Sequence, residues 1–525
     1  MLRLWMPLLA STGSSALVEV AGGLRAVRTL KLFLGLGLSL LGISCRSPEV
    51  RQISPVAIQI RGIQSGWVLQ DGPGADSGYQ VTFDRYPGIL PAIVGLGARW
   101  YRFEFRVPAT AVARARRRRE ALGLPPACRA QCSAEDLGWD ESLLKAYDRA
   151  LDTLRARDIQ VLGLISNATV MAPQAEQLVN SAEVAGGEGD NGYIANLGSV
   201  VFPALLRRFA NRIQVWEIGN EPDVWTQRNA FGLTTEGIKA GELPGGSFIY
   251  PSNFAQLLSR TFYAARAAEK RGAPPLKTVS GGLLSMNRWD DGPASPARDA
   301  ALFHNAAGVY LQAFVAAGFA HAGWRTIVKR YHRFPMDGWG LHIYVSQHTR
   351  EPARNPWESF GRYVAAFQDM TGLLSENHLG SGRTLPIWVT EVGFGSPVAR
   401  IPVTERSDSL RARYWGYAAD GLDLAYQCFA QLETQAPVFW FTLFDVPNSG
   451  IETGLFTPAW GTPHFAPLTA KPAADRYRSV GKAAGSLDCR RTVPGRPPHR
   501  VLCDVQLSPA GSRGNMPYAG QCRDA

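Results

Sequence analysis

Eight short runs rich in β-branched and aromatic residues alternate with helical patterns, and this rhythm constrains the fold more than any other feature. Strands that alternate with helices are typical of βαβ units and a parallel sheet. Eight such units favour a closed (β/α)8 TIM barrel of the α/β class over an open doubly wound sheet. The predicted strands are Ala57–Ile63, Arg99–Phe105, Gln160–Ser166, Ile213–Ile218, Thr278–Leu283, Gly338–Tyr344, Pro386–Thr390 and Val438–Leu443, and helical patterns cover Glu141–Arg155, Phe254–Arg271, Ala301–Ala317 and Leu410–Gln431.

The chain length of 525 residues fits one large barrel with insertions. Hydrophobic residues make up 46% and charged residues 19%, which argues against a largely disordered chain. We predict a barrel over residues 46–480 and a Pro-, Gly- and Arg-rich C-terminal tail over residues 481–525. No second domain of any size is expected.

The N-terminal segment has the composition of an export signal. Basic residues precede LFLGLGLSLLGIS, a run of thirteen uncharged residues that is too short to span a bilayer and ends directly before Cys45. The last residues resemble a bacterial lipobox, except that Gly42 stands three positions before the cysteine. We therefore predict that residues 1–45 are a lipoprotein signal with an upstream extension, and that lipidated Cys45 anchors the protein to a membrane of the bacterial cell envelope, in the periplasm or at the outer membrane. Secretion with an unmodified Cys45 is the alternative.

Export would place the other six cysteines in an oxidising compartment. Cys128 and Cys132 lie close together, and Cys489 and Cys503 bracket a Pro-rich turn, so both pairs are predicted disulfides, the second pinning the tail. Cys428 lies in a helical pattern and is interpreted as a buried small hydrophobic residue.

The net charge of +11 is most concentrated in the run RARRRR at residues 114–119. Such a run is either a solvated helix face or a surface that attracts an anionic polymer or lipid headgroups. Aromatic residues do not interleave the arginines, so nucleic acid is not predicted as a partner.

Two glutamates follow predicted strands at the positions where a barrel carries its chemistry. Asn220 and Glu221 end the run VWEIGNEP, and Glu391 ends the run PIWVTE. In a (β/α)8 barrel the C-terminal ends of the strands form the active-site cup. Glycoside hydrolysis uses two carboxyl groups, one to protonate the leaving oxygen and one to attack the anomeric carbon or activate water.

Other polar and aromatic residues are predicted to reach the same cup. His342 and Tyr344 are two residues apart on one strand and so face the same way. Trp440 lies near the end of the last strand and could form the floor of a sugar site. Glu217 is interpreted as a buried acid inside the barrel, paired with a cation such as Arg102. No tight His or Cys spacing supports a metal site.

These residues together resemble clan A of the retaining glycoside hydrolases. The clan resemblance is carried by Asn220-Glu221-Pro222, by the pair His342 and Tyr344, by Glu391 and by Trp440, in the order of strands four, six, seven and eight and over residues 57–480. The segments GNEPDVW, VSGGLLS and PIWVTEVGFG carry the likeness to a family within the clan. Within the clan the sequence looks most like family 39, then families 5 and 79. Two features depart from these families. The chain is too short after the last strand for the β-sandwich common in family 39, and Ser166 and Asn167 stand where family 5 usually has a histidine.

The resemblance implies roles for each residue and no cofactor. Glu221 would be the general acid/base and Glu391 the nucleophile, with their carboxyl groups about 5 to 5.5 Å apart. Asn220 would bind the sugar 2-hydroxyl and Tyr344 would hold the nucleophile. His342 and Arg102 would orient the carboxylates.

We therefore predict a retaining O-glycoside hydrolase that cleaves β-glycosidic bonds of a polysaccharide or oligosaccharide. One alternative is an enzyme of the same clan specific for uronic-acid-containing glycans. The other is a catalytically silent carbohydrate-binding lipoprotein.

Overall fold

The computed structural model places most of the chain after residue 60. The described residues are 61–64, 69–71, 79–128, 131–170, 192–223, 249–285, 308–346, 356–380, 382–395, 408–431, 436–445, 453–458, 468–480, 501–507 and 518–524. The predicted signal, Cys45 and Cys489 lie outside these ranges, so their roles stay predictions. No described helix is both long enough and apolar enough to be a membrane-spanning candidate.

Nine parallel strands within the described residues form one sheet. The strands are β1 (Arg61–Gln64), β4 (Trp100–Phe105), β5 (Gln160–Ile165), β6 (Val215–Ile218), β7 (Lys277–Ser280), β8 (Leu283–Ser285), β9 (Trp339–Ser346), β10 (Ile387–Gly395) and β11 (Val438–Phe441). Their order in the sheet is β7-β6-β5-β4-β1-β11-β10-β9-β8. The first and last strands of the chain, β1 and β11, therefore lie side by side.

The two strands at the ends of this order, β7 and β8, are one interrupted barrel strand. They follow each other in the chain and are separated only by Gly281 and Gly282. β7 pairs with β6 on one side, and a parallel bridge joins Val279 to Gly338, just before β9, on the other. β8 then continues the pairing with β9. The sheet is thus closed, and the predicted (β/α)8 fold is confirmed. The predicted strand Thr278–Leu283 is wrong in one respect, since it is broken at the two glycines.

Helices cover the outside of the barrel, and the described residues also form three short antiparallel strand pairs. The helices are α1 (Thr82–Arg85), α2 (Ile89–Gly95), α3 (Ala109–Ala121), α4 (Glu141–Arg155), α5 (Gly192–Ala195), α6 (Phe202–Phe209), α7 (Pro251–Lys270), α8 (Val309–Ala320), α9 (Ala322–Tyr331), α10 (Pro356–Leu379), α11 (Asp408–Gln431) and α12 (Pro472–Ser479). A π-helical turn, Asn196–Val201, joins α5 to α6, and 3-10 turns cover Glu135–Leu137 and Asn167–Thr169. The antiparallel hairpins pair β2 (Leu69–Asp71) with β3 (Tyr79–Val81), β12 (Phe456–Pro458) with β13 (Leu468–Ala470), and β14 (Val501–Leu507) with β15 (Tyr518–Asp524).

Alternation along the strands divides their side chains between two cores. The larger core packs the outer faces of the strands against the helices. A smaller apolar cluster fills the inside of the barrel and consists of Leu162, Val215, Val279, Trp388, Ala436 and Phe439. On β4 and β6, Arg102 and Glu217 share the inner face with the members of this cluster, because they are two residues from Trp100 and Val215. The inside of the barrel therefore changes from apolar to charged toward the C-terminal ends of the strands.

The cysteines follow the predictions in part. Cys128 and Cys132 form the predicted disulfide, with their Cα atoms 5.7 Å apart. Cys428 is fully buried in α11 as expected, but it is disulfide-bonded, so its interpretation as a small hydrophobic residue is wrong. In the predicted tail, Cys503 lies opposite Cys522 in the β14–β15 hairpin.

The arginine run lies on α3, where three of its members pair with acids of the following segment. Arg114 contacts Asp140 at 2.8 Å, Arg119 contacts Asp136 at 3.1 Å, and Arg118 pairs with Glu135. These ion pairs tie α3 to the turn that leads into α4. Three arginines of the run therefore have a structural role, which is to hold α3 against the segment that leads into α4.

Candidate active site

A single arginine at the centre of the barrel binds polar side chains from three strands and one loop. Arg102 on β4 is fully buried. Its Nε donates to Glu217 at 2.6 Å, and one terminal nitrogen donates both to Gln64 of β1 at 2.8 Å and to Glu391 of β10. The other terminal nitrogen donates to the side-chain oxygen of Asn220 at 2.8 Å. The planar guanidinium thus holds two carboxylates and two amides in fixed directions.

Glu217 is the buried partner that neutralises Arg102. Besides the arginine, it accepts hydrogen bonds from the hydroxyl of Thr390 at 2.8 Å and from the backbone N–H of Gly282 at 3.1 Å. Burial alone would raise the pKa of Glu217, but the Arg102 charge and hydrogen bonds outweigh it and lower this pKa to about 2. Burial likewise opposes the charge of Arg102, yet Glu217 and Glu391 raise the arginine pKa. The predicted pairing of Glu217 with Arg102 is confirmed.

Replacing Arg102 with methionine is expected to destabilise the fold by about 3 to 5 kcal/mol, because Glu217 and Glu391 would remain buried without their cation. The double variant Arg102→Met/Glu217→Gln should recover part of this loss. Urea unfolding followed by tryptophan fluorescence measures both, with Arg149→Met on the exposed face of α4 as the matched control. An Arg102 variant as stable as the Arg149 variant would contradict the central role of the arginine.

Glu391 reaches this cluster because β10 contains a bulge. Val389 pairs with Leu341, but the next paired residue of β10, Glu391, aligns with His342, so Thr390 is an extra residue in the strand. Trp388 faces the inside of the barrel, and strict alternation would point Glu391 outward. The extra residue turns both Thr390 and Glu391 inward, toward Glu217 and Arg102.

Both oxygens of Glu391 accept hydrogen bonds from buried donors. Arg102 donates to one oxygen and the hydroxyl of Tyr344 donates to the other. Burial and the neighbouring Glu391 charge raise the pKa of Tyr344 well above its usual value, so Tyr344 remains a donor. Burial raises the pKa of Glu391, the charges of His342 and Arg102 oppose this, and Glu221 adds to it. Glu391 thus combines a desolvated carboxyl group with two strong donors.

Glu221 stands in the loop after β6 with an unusual backbone conformation. Its φ is 47°, in the left-handed region that residues other than glycine rarely adopt. Its backbone N–H donates to the carbonyl of Gly282 at 3.2 Å, and its side chain keeps 20% exposure. The preceding Asn220 accepts from Arg102 through its oxygen, so its NH2 group can donate elsewhere.

His342 connects the two glutamates, as its predicted position on the inner face of β9 requires. Its Nδ1 lies 3.0 Å from Glu221 and 3.6 Å from Glu391, and its Nε2 lies 3.7 Å from Glu217. Burial would lower the pKa of His342, but these carboxylates raise it to about 9. His342 is therefore cationic at neutral pH.

The pH dependence of stability is expected to follow His342 on the alkaline side. Because its folded pKa of about 9 lies above its ordinary value of 6.5, its contribution is complete below about pH 6.5 and is lost as the pH rises to about 9. The loss should be on the order of 3 kcal/mol. Urea unfolding of the wild type and of His342→Gln from pH 6 to 9.5 measures it. The stability difference between the two proteins should shrink with rising pH, and a constant difference would contradict a cationic His342.

Trp440 does not lie where the sequence predicts. It is fully buried on the outer face of β11, stacks on Phe394 at 5.9 Å and donates its indole N–H to the carbonyl of Thr453 at 2.9 Å. A sugar inside the cup therefore has no access to it. One residue further on, Phe441 faces inward and meets the Tyr344 ring edge to face at 5.8 Å. The aromatic residue near the end of β11 that packs on Tyr344 is therefore Phe441, one residue after the predicted Trp440.

Several residues of the site are absent from the prediction. Gln64, Thr390 and Gly282 all bond to Arg102 or Glu217, yet none of them is a predicted site residue, although Thr390 lies in PIWVTEVGFG and Gly282 in VSGGLLS. The segment VSGGLLS does carry a signal, because a pair of glycines inside a strand pattern indicates a bulge or a close backbone approach. Ser166, at the end of β5, donates to Glu104 at 2.6 Å and so adds a carboxylate to the same rim.

The side chains of Glu221, His342 and Glu391 each place one possible metal ligand within 4.8 Å of the others. The chemistry of this donor set suits protons better than a metal ion. Both oxygens of Glu391 accept from Arg102 and Tyr344, and a metal ligand must be deprotonated, whereas His342 is cationic at neutral pH. The guanidinium charge would also repel a cation at this place.

Comparison with known proteins gives structural likenesses only. No family model matches this sequence, and no curated protein matches it. A solved family 1 β-glucosidase from Thermotoga maritima has a TM-score of 0.44 at 16% identity, over 76% of this chain and 86% of that one. A β-glucosidase from the same organism in complex with castanospermine has a TM-score of 0.48 at 16% identity, over 82% and 98%. The β-glycosidase BGL167 has a TM-score of 0.44 at 17% identity, over 84% and 98%. The (β/α)8 assignment rests on the strand order and not on these likenesses.

Proposed function

We propose that the protein is a retaining glycoside hydrolase of clan A that cleaves β-glycosidic bonds of a polysaccharide or oligosaccharide. The observation that carries the proposal is the pair of carboxyl groups at the mouth of the barrel. A side-chain oxygen of Glu221 lies within 4.8 Å of one of Glu391. Inverting enzymes keep their carboxyl groups about 6.5 to 9.5 Å apart to admit a water molecule, so the short separation favours the retaining route.

The charges of the cluster support a shared proton on this pair. Among the described residues, Arg102 offsets Glu217, and cationic His342 then faces both Glu221 and Glu391. One proton on the pair makes this group of five side chains neutral, which a buried site favours. The donors from Arg102 and Tyr344 can stabilise the anion of Glu391, so we assign Glu391 the role of nucleophile and Glu221 that of acid.

This distribution gives each carboxyl group one role. The Glu391 carboxylate attacks the anomeric carbon while Glu221 donates its proton to the departing oxygen, which leaves a glycosyl ester on Glu391. Glu221 then takes a proton from water, whose oxygen attacks the same carbon and releases Glu391. In this proposal the NH2 group of Asn220 donates to a sugar hydroxyl beside the reacting carbon, and its side-chain oxygen accepts from Arg102. No step requires a metal or an organic cofactor.

We propose that the loops after the strands determine whether the substrate is a neutral or a uronic-acid-containing glycan. The assignment to family 39 or to another family depends on the same loops. A catalytically silent binding protein is the second candidate, but nothing in the described cluster favours it. A binding protein does not need a carboxyl group such as Glu391, which accepts from two buried donors. Nor does it need a second carboxyl group, Glu221, next to the first and in contact with His342.

Hydrolysis of a panel of polysaccharides and aryl β-glycosides by the purified full chain tests the proposal. Proton NMR of the first-formed anomer should show retention of configuration. Inversion would overturn the retaining mechanism. Binding of a glycan without hydrolysis of any substrate would favour the silent binding protein.

A further inference from the structure

We propose that Asp223 is a positioning residue that fastens the loop bearing Glu221 to β8 and so fixes the direction of the proton donor. The inference rests on the proposed function, because the role of Glu221 as acid is part of it. Asp223 follows Glu221 by two residues and belongs to none of the site contacts described above.

The side chain of Asp223 takes the place of a missing strand. The pairing of β6 with β7 ends at Ile218 and Ser280, and the chain then leaves the sheet at Gly219. On the other side of the gap, β8 begins at Leu283. The carboxylate of Asp223 accepts the backbone N–H of Leu284 at 3.0 Å, which a carbonyl of a longer β6 would otherwise accept.

Two further hydrogen bonds are made by the backbone of the same loop. Glu221 donates its N–H to the carbonyl of Gly282 at 3.2 Å, and the carbonyl of Pro222 accepts from Ile249 at 3.0 Å. Of these three hydrogen bonds, the one that Asp223 accepts from Leu284 is the one that involves a side chain. It joins the loop to β8, which begins directly after Gly282.

Glu221 needs such ties because its own conformation is unfavourable. A glutamate at a φ of 47° returns to ordinary backbone geometry unless the surrounding structure over-determines it. Any such relaxation changes the direction of the side chain and lengthens the reach to the leaving oxygen. Acid catalysis is sensitive to displacements of about 1 Å.

The tie depends on an acceptor oxygen more than on charge. Burial raises the pKa of Asp223 to about 7, and the charge of Glu221 adds to this, so both protonation states exist near neutral pH. An oxygen that accepts the Leu284 N–H is present in both states. Asparagine, which keeps that oxygen, should therefore replace Asp223, whereas leucine, of similar size without an acceptor, should not.

The experiment compares Asp223→Asn, Asp223→Leu and Asp223→Ala in the full chain, with Asp408→Ala at the exposed start of α11 as the matched control. The measurement is kcat/KM on aryl β-glycosides with good and poor leaving groups. Asp223→Ala and Asp223→Leu should lose about 10²-fold on poor leaving groups and less than about tenfold on good ones. Asp223→Asn should stay within about threefold of the wild type on both.

Each outcome decides the inference. Equal loss on both substrate classes would mean that Asp223 supports only folding or binding, and would overturn it. The same split in Asp223→Asn as in Asp223→Ala would overturn the acceptor role in favour of charge. If Asp223→Ala does not fold, as circular dichroism would reveal, Asp223→Leu and Asp223→Asn still decide. A wild type that hydrolyses nothing overturns the proposed function and this inference together, whereas an active wild type with uniform losses overturns the inference alone.

Discussion

Glu391→Ala is expected to lose on the order of 10⁴-fold or more in kcat on every β-glycoside that the wild type hydrolyses, because the covalent intermediate can no longer form. Azide should restore part of the activity by occupying the space that the carboxylate leaves. It then attacks the anomeric carbon directly, in one displacement, and gives a glycosyl azide of inverted configuration. The product is identified by proton NMR.

Glu376→Ala on the exposed side of α10 is the matched control and should keep wild-type activity. A Glu391→Ala variant that yields a glycosyl azide of retained configuration would contradict the assignment of Glu391 as nucleophile. Undiminished hydrolysis by Glu391→Ala would do the same.

Glu221→Gln is expected to divide substrates by leaving group. Its kcat/KM should fall about 10² to 10⁴-fold on substrates with poor leaving groups, which need a proton as the bond breaks. Activated aryl glycosides need no proton in this step and should lose little kcat/KM. Their kcat should still fall, because the release of the intermediate requires Glu221 as base.

The complementary variant Glu221→Ala uses azide a second time. Here the intermediate on Glu391 still forms, so azide attacks it in a second displacement and the glycosyl azide retains configuration. Opposite stereochemistry from Glu221→Ala and Glu391→Ala with one reagent assigns both roles. Glu376→Gln is the control, and equal loss of kcat/KM by Glu221→Gln on both substrate classes would contradict its role as acid.

The sequence predicts the fold and the faces of His342 and Tyr344 because both follow from local rules. Eight alternating units imply a barrel, and residues two apart on a regular strand share a face. The placement of Glu391 does not follow from these rules. Counted from the inward-facing Trp388, it would point outward, and only the extra residue Thr390 turns it into the barrel.

The error at Trp440 has the opposite cause. Its strand β11 is regular, but the hydrophobic pattern of the strand does not show which side chains face the inside of the barrel. The run VFWF is apolar on both faces, because a barrel strand is buried on both sides, so composition does not reveal which aromatics face inward. The register of β11 against β1 and β10 decides this, and that register depends on pairings between distant parts of the chain. The gap at Gly281 and Gly282 has the same origin. At residue 282 a glycine is required by His342, since a Cβ there would lie 2.0 Å from the imidazole.

The contacts of Arg102 can form only in a certain order while the protein is being synthesised. Arg102 and Glu217 are synthesised in the first half of the chain, while His342 and Glu391 emerge from the ribosome more than a hundred residues later. The arginine can pair with Glu217 early, but its remaining donors wait for β10 and its neighbours. A chain that ends before β10 would therefore lack Glu391, the second carboxylate that accepts a hydrogen bond from Arg102.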